Sequence, residues 1–454
     1  MKDIFDKLHE HCALFGIYNI KEASNYVYLG LHALQHRGQE GCGIVTRDKD
    51  VFYKKRARGL VLEAFDKTDI ENLKGEIGIG HNRYSTSGDS SLVNLQPLTA
   101  SFDLGDIAIA HNGNIINAYS IRQKLISDGA IFSSNSDTEV IIHLIARQKG
   151  SFDERLVGAL SQLKGAFSLV MLFNDTLYAI KDPWGFRPLA MGELGDSCCF
   201  ASETCAFDLI GAKFVRELEN GEIIKVDKYG VNSFKPFKSE NSYRCVFEYI
   251  YFARPDSYLW DNHVYEIRKR IGQKLALKSS VDADIVIAVP DSGMPAAIGY
   301  SQASGLPFEM GIIRNHYVGR TFIEPTDSIR HFGVKLKLNP SSDVLNNKRV
   351  IVVDDSIVRG TTSRRIVKMI RNAGAKEVHL RIASPPVTHP CFYGIDTPTK
   401  SELIASSHTI EEITKYATAD SIAYLTLEDL KEIVGESGYC YACFSGNYPI
   451  SLNV

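Results

Sequence analysis

The chain predicts a two-part architecture, α/β in its second half and sheet-rich α+β in its first. Val350-Ile351-Val352-Val353 is a continuous β-branched run that empties into Asp354-Asp355, then Ser356, Gly360, Thr361-Thr362-Ser363 and an apparent helix. A second run, Ile285-Val286-Ile287-Ala288-Val289, empties into Pro290-Asp291-Ser292-Gly293 and opens another helix. Uninterrupted apolar runs of this kind read as strands buried on both faces of a parallel sheet. In the first half, residues 166–173 and 176–180 flank Asn174-Asp175 and read as a hairpin.

Composition narrows the class of protein. With 454 residues the chain has room for two or three domains. Basic residues number 51 against 54 acidic, for a net charge of -3, so no global basic field points to nucleic acid or a membrane surface. No apolar run reaches the length of about eighteen residues that a spanning helix needs. Residues 1–11 are charged and lack the apolar core of a signal peptide, so a cytoplasmic location is expected. The nine cysteines are therefore expected as thiols, metal ligands or nucleophiles, not as disulfides.

From the N-terminus, Cys12-Ala13-Leu14-Phe15-Gly16-Ile17-Tyr18 reads as a strand. Residues 31–41 read as a helix ending in Arg37-Gly38. Three more segments follow: Gly80-His81-Asn82-Arg83-Tyr84, Ala110-His111-Asn112-Gly113-Asn114 and Ser134-Asn135-Ser136-Asp137-Thr138. Each is an element end followed by Gly, Asn and hydroxyl residues, the composition of a loop-built site. His81 and His111 are expected to orient loops. Gly221–Val226 is expected as the last strand of this half, and the polar stretch 235–243, with Pro236 inside it, as the boundary.

These segments resemble the N-terminal-nucleophile glutaminase domain of class II amidotransferases, over residues 12 to the low 230s. The resemblance implies an αββα sandwich across residues 12–235 and a propeptide, residues 1–11, whose removal makes Cys12 the first residue. A free α-amino group titrates near pH 7.7–8.0 and shuttles protons without a partner histidine. The Cys12 thiol would attack the glutamine side-chain amide, giving a thioester and ammonia. The resemblance assigns the oxyanion hole to the Asn112 side chain and the Gly113 N–H. It assigns Arg83 to the glutamine carboxylate, Asp137 to its ammonium, and Arg37 to ordering the site as it closes.

In the second half, strand exits carrying backbone N–H groups and a helix's positive end suit a phosphate. The adjacent acids suit sugar hydroxyls or a metal. The Asp354-Asp355 segment resembles the phosphoribosyltransferase signature, expected over residues 236–454. By that resemblance Asp354 and Asp355 hold the ribose of phosphoribosyl pyrophosphate. Ser356, Gly360, Thr361, Thr362 and Ser363 hold its 5-phosphate, and Asp291 and Ser292 belong to the pyrophosphate loop. Mg²⁺ is expected near Ser292, Asp354 and Asp355. Residues 314–337 carry five basic and two acidic side chains, and resemble the flexible catalytic loop of amidophosphoribosyltransferases, a lid that completes an ammonia channel.

Cys245, Cys391 and the pair Cys440-Tyr441-Ala442-Cys443 make a tetrathiolate site plausible, and ligand counting leaves zinc and [4Fe–4S] both open. One branch of the amidophosphoribosyltransferase family places a [4Fe–4S] cluster on four cysteines in these contexts. That resemblance, which spans nearly the whole chain, implies glutamine-dependent conversion of phosphoribosyl pyrophosphate to 5-phosphoribosylamine, the first step of purine synthesis. It further implies feedback inhibition by purine nucleotides and a homotetramer.

Overall fold

A computed structural model describes residues 9–10, 12–84, 91–238, 241–315 and 338–451. The first half holds two antiparallel sheets. The seven-stranded sheet runs in the order Lys213–Glu217, Ala190–Leu194, Ser197–Ala201, Ala13–Tyr18, Ile77–Arg83, Gly41–Asp48, Val51–Arg58. The six-stranded sheet runs Gly230–Phe234, Ile223–Asp227, Thr176–Lys181, Gly165–Phe173, Gly105–Ile115, Leu98–Phe102.

Alternation along each strand explains how the sheets stack. Ala13, Phe15 and Ile17 pack outward with Val27 and Leu31 of the helix Ala23–Ala33. Leu14 points the other way and joins Ile79, Ala108, Ala110, Val170 and Leu172 between the sheets. On the far side Ile107, Ile109, Leu169 and Met171 meet the helices Thr138–Arg147 and Phe152–Leu160. The layers are thus helix, sheet, sheet, helix. Each fully buried Leu, Ile or Phe contributes about 1.5–3 kcal/mol.

The expected hairpin forms, with Phe173 paired to Thr176 and Asn174 in the left-handed region at φ 48°. Two expectations need correction. The helix ends at Ala33, and Arg37 closes a separate 3-10 turn, Gln35–Arg37. Ile223–Asp227 is not the last strand of its sheet, because Gly230–Phe234 adds one more at the edge. That edge strand is largely exposed, so it carries no buried apolar alternation to betray it.

The second half holds a four-stranded parallel sheet, ordered Ile285–Ala288, Arg349–Asp354, Glu377–Ile382, Ser421–Tyr424. Val286, Ala288, Ile351 and Val353 pack on the side of the helices Val264–Lys278 and Met294–Ser304. Ile285, Ile287, Val350 and Val352 pack on the opposite face with Ile366, Val367 and Ile370 of the helix Thr361–Asn372. Burial on both faces is why these strands read as unbroken apolar runs. Among the described residues no helix is long and apolar enough to cross a membrane.

Candidate active site

The first cluster forms where strands of the two sheets end together. Cys12 immediately precedes the strand Ala13–Tyr18, whose Ala13 is paired with Asn82. Arg83, the next residue of that partner strand, therefore comes beside Cys12. The Cys12 sulfur lies 4.0 Å from the Tyr84 carbonyl oxygen. Burial pushes its thiol up to about 12, against the lowering effects of the Tyr84 contact and the Arg83 charge; Asp137 and Glu40 push it further up. Cys12 also has φ 81°, a left-handed conformation that a non-glycine residue adopts only under strain.

Asn112 and Gly113 lie on the strand Gly105–Ile115, paired with Ser168 and Phe167. Asn112 is 0% exposed, and neither its amide nitrogen nor its oxygen has a hydrogen-bond partner among the described residues. Such orphaned groups are rare and call for an explanation. Asp137 opens the helix Thr138–Arg147, and its Oδ2 accepts the Ile115 N–H at 3.0 Å. Burial raises its carboxyl, but His111 and the N–H groups of Ile115 and Thr138 outweigh that and leave it below the usual range. His81 and His111 sit between the strands: His81 Nε2 is 3.1 Å from the His111 carbonyl, and His111 Nδ1 is 3.2 Å from Thr138 Oγ1. Both are buried strand residues: His81 braces the neighbouring strand, while His111 reaches Asp137 and Thr138, where the segment Ser134–Asp137 turns into its helix.

The second half reaches directly into this region. Asn114 Nδ2 donates to the Phe392 carbonyl at 2.9 Å. Gly394, at φ 101°, packs so closely that a Cβ there would stand 3.0 Å from Gly113 Cα. His9 and Glu10 pair antiparallel with Asp396 and Ile395. The remaining residues of 1–11 expected as propeptide lie outside the described residues, as do residues 316–337 of the expected lid.

The second cluster lies at the carboxyl ends of the parallel strands, where such sheets bind ligands. Asp354, Asp355 and Ser356 are buried. Ser292 Oγ donates to Asp355 Oδ1 at 2.5 Å, and Ser356 Oγ to Asp355 Oδ2 at 2.7 Å. The Asp355 N–H reaches Asp354 Oδ1 at 3.0 Å. Ser292 thus joins the two strand exits that are separated by some sixty residues in sequence. Gly360, at φ 79°, turns the chain into the helix Thr361–Asn372, which brings Thr361, Thr362 and Ser363 into its first turn. Asp291 is ion-paired with Arg314. Arg268 approaches from the helix Val264–Lys278; burial lowers it to about 10 while the charge of Asp355 opposes that shift.

The four cysteines converge. Cys245 and Cys440 are register partners in a short parallel pair, Tyr243–Cys245 with Gly438–Cys440. Cys443 lies in the following turn of helix, and its thiol is raised by burial and then by Cys440, Cys245 and Cys391. Among the described residues no group of three His, Cys, Asp or Glu side chains is close enough to hold a single metal ion.

Four residues escaped sequence reasoning: Arg187, Glu203, Glu248 and Arg268, all buried. A signal was present, since Glu248 is a lone acid within Val246-Phe247-Glu248-Tyr249-Ile250. A charge in such a run needs a buried partner, and only the folded chain shows which one.

The glutamine amidotransferase domain family matches residues 81–208. The chloroplastic amidophosphoribosyltransferase of Vigna aconitifolia is 52% identical over 449 residues, covering 98% of this chain and 92% of that protein. The amidophosphoribosyltransferase of Bacillus subtilis (strain 168) is 47% identical over 98% of this chain and 95% of its own. A solved structure of the B. subtilis glutamine phosphoribosylpyrophosphate amidotransferase complexed with ADP and GMP superposes with a TM-score of 0.93 at 46% identity, covering 97% of this chain and 98% of that one. Likeness this high over nearly the full length of both sequence and fold shows that the chain belongs to the amidophosphoribosyltransferase family.

Proposed function

We propose that this chain performs the family reaction with a division of labour between its halves: Cys12 releases ammonia from glutamine, and the Asp354–Asp355 site uses it. Glutamine and phosphoribosyl pyrophosphate are consumed, and glutamate, 5-phosphoribosylamine and pyrophosphate are formed, at the start of purine synthesis. The carrying observation is Asn112, a buried amide with both polar atoms unpartnered among the described residues, on a strand that packs against the Cys12 strand. An amide donor held dry and unpaired is suited to an oxyanion that exists only during reaction.

The steps follow from the side chains. The Cys12 sulfur bonds to the amide carbon of glutamine, the carbonyl electrons move onto oxygen, and Asn112 and the Gly113 N–H hold that oxygen. On collapse the C–N bond breaks and nitrogen leaves as ammonia, taking the thiol proton through the α-amino group. Water then cleaves the thioester to glutamate. Arg83 and Asp137 pair with the carboxylate and ammonium of the substrate. Ammonia attacks the anomeric carbon of phosphoribosyl pyrophosphate as the bond to pyrophosphate breaks. Asp354 and Asp355 hold the ribose hydroxyls, and the first turn of the helix Thr361–Asn372 holds the 5-phosphate.

With His11 attached, the Cys12 nitrogen is an amide and its thiol is raised to about 12, so neither base nor thiolate is at hand. Removal of residues 1–11 would supply the amine, and the strained φ of Cys12 supports a bond that gains by breaking. Hard oxygen donors at Ser292, Asp354 and Asp355 fit Mg²⁺. When bound, the ion would neutralise charge on the pyrophosphate. Cys245, Cys391, Cys440 and Cys443 bring four thiol donors together from separate segments, which suits the [4Fe–4S] cluster that the family resemblance implies. Iron and sulfide analysis of anaerobically purified protein tests this, and zinc or no metal would refute it. The ADP and GMP bound to the B. subtilis relative support purine nucleotides as feedback inhibitors. We extend the reading to a cytoplasmic homotetramer.

The reaction itself is tested by measuring pyrophosphate released from phosphoribosyl pyrophosphate with glutamine or ammonium as nitrogen donor. Both donors should support release. Glutamate formation without any pyrophosphate release dependent on phosphoribosyl pyrophosphate would overturn the proposal.

A further inference from the structure

Beneath the first site lies a cluster of buried charges that the reaction as described does not use. Arg37 is 1% exposed, yet its guanidinium is fully engaged. Nε points to the Cys12 carbonyl oxygen at 3.4 Å. One terminal nitrogen donates to Glu203 Oε1 at 2.5 Å and to Glu248 Oε2 at 3.1 Å; the other donates to Glu248 Oε1 at 2.9 Å. Arg187 completes the set, 3.0 Å from Glu248 Oε1. The side chains of Arg37, Arg187, Glu203 and Glu248 are all 0% exposed. Two positive and two negative groups balance, which is what allows them to be buried.

The two carboxylates are held from different places. Glu203 follows the strand Ser197–Ala201, and its second oxygen accepts the Ser257 hydroxyl at 2.6 Å and the Arg254 N–H at 2.9 Å. Glu248 comes from the second half. It begins a π-helical turn, Glu248–Phe252, just after Cys245. That turn is rare in proteins and concentrates at functional sites. Arg268 clamps it from behind, donating to the carbonyls of Tyr249 at 2.6 Å and Ala253 at 2.7 Å. The backbone carrying the nucleophile is thus tied through one guanidinium to a carboxylate of the other half.

We infer that Glu248 is a positioning residue for the glutaminase reaction: with Glu203 it fixes the Arg37 guanidinium beneath the Cys12 carbonyl, and so the second half sets where the nucleophile stands. The inference rests on the reading of Cys12 as nucleophile. Glu248 touches no substrate. It acts by holding Arg37 in one orientation, because a bidentate guanidinium–carboxylate pair in a dry site has little freedom. Loss of the Glu248 charge removes the bidentate hold on Arg37, leaves its pairing with Glu203, and lets the guanidinium tilt. A nucleophile displaced by about 1 Å loses up to about a hundredfold in rate.

The test compares nitrogen donors in Glu248→Gln, which keeps the volume of the side chain. Glutamine-dependent pyrophosphate release should fall roughly ten- to a hundredfold, mainly in kcat, and alkylation of Cys12 by iodoacetamide should slow in parallel. Ammonium-dependent release should stay within about twofold of the parent protein. A general loss of packing would instead depress both donors together. Glu248→Gln combined with Arg187→Gln restores charge balance and guards against misfolding; it should show the same selective loss of glutamine use. If either folded variant keeps the parent ratio of glutamine- to ammonium-dependent release, the inference fails. Cys12→Ala separates the two levels. If it abolishes glutamine use while Glu248→Gln leaves the ratio intact, only the positioning role is lost; if Cys12→Ala retains glutamine use, the underlying reading is what fails.

Discussion

Replacing Asn112 by alanine separates catalysis from stability in a way few substitutions do. Its side chain is 0% exposed and both amide atoms lack partners among the described residues, so folding already bears the cost of desolvating them. Removing a buried unsatisfied group recovers about 1–3 kcal/mol. The packing lost with the truncated amide is about 1 kcal/mol. The two nearly cancel, and the melting temperature should stay level or rise. Glutamine chemistry should respond in the opposite direction. Loss of one oxyanion donor costs about a hundred- to a thousandfold in kcat, or about 2.7–4 kcal/mol. The assay measures glutamate release, ammonium-dependent pyrophosphate release and thermal unfolding on one preparation. The account expects glutamate release to collapse, ammonium use to persist and stability to hold. A clear fall in melting temperature with glutamine use intact would show that Asn112 is a structural amide, and the oxyanion assignment would fall with it.

Other outcomes follow from the same geometry. Gly394→Ala should cut glutamine-dependent turnover more than ammonium-dependent turnover, because the added Cβ presses on Gly113 Cα at 3.0 Å and φ 101° disfavours alanine; equal effects on both donors would contradict the contact. Asp355→Asn should abolish pyrophosphate release with either donor, since Ser292 and Ser356 both anchor on that carboxylate; ammonium turnover within a few fold of the parent would count against its place in the ribose site. Burial lowers His81 to about 3, so the folded state stays unprotonated while the unfolded state gains a proton below about 6.5. Its contribution is therefore complete above pH 6.5 and is lost as pH falls toward 3, by about 1.4 kcal/mol per pH unit. His81→Gln should flatten the acid limb of a melting-temperature profile between pH 6.5 and 4, and parallel profiles would refute this. Iodoacetamide should label Cys12 slowly at pH 8 while residues 1–11 remain attached, and faster once they are removed; equal rates would contradict the latent-nucleophile reading.

Strand exits were legible because burial on both faces demands unbroken apolar runs, and the break in the run marks the site. The segment from Val350 to Asp355 is the clearest case: Val350–Val353 are 0% exposed and the two carboxylates follow at once. The segments around Arg83, Asn112 and Asp137 stood out by their Gly, Asn and hydroxyl content, but the roles of these residues and of Cys12 came only from the family resemblance, because composition carries no geometry. The edge strand Gly230–Phe234 was not, because exposed strands carry no apolar alternation. The buried network was not legible either. Arg37 and Glu248 are 211 residues apart, and what makes them partners is the packing of one half on the other. Single charges inside apolar runs are the visible trace of such pairs, and they name neither the partner nor the geometry.

The central claim is that one residue makes ammonia and a distant site uses it. Cys12→Ala, assayed for pyrophosphate release with glutamine and with ammonium, tests it most directly. The account predicts that glutamine no longer supports release while ammonium turnover remains near that of the parent protein. Equal loss with both donors, or persistence with glutamine, would contradict it.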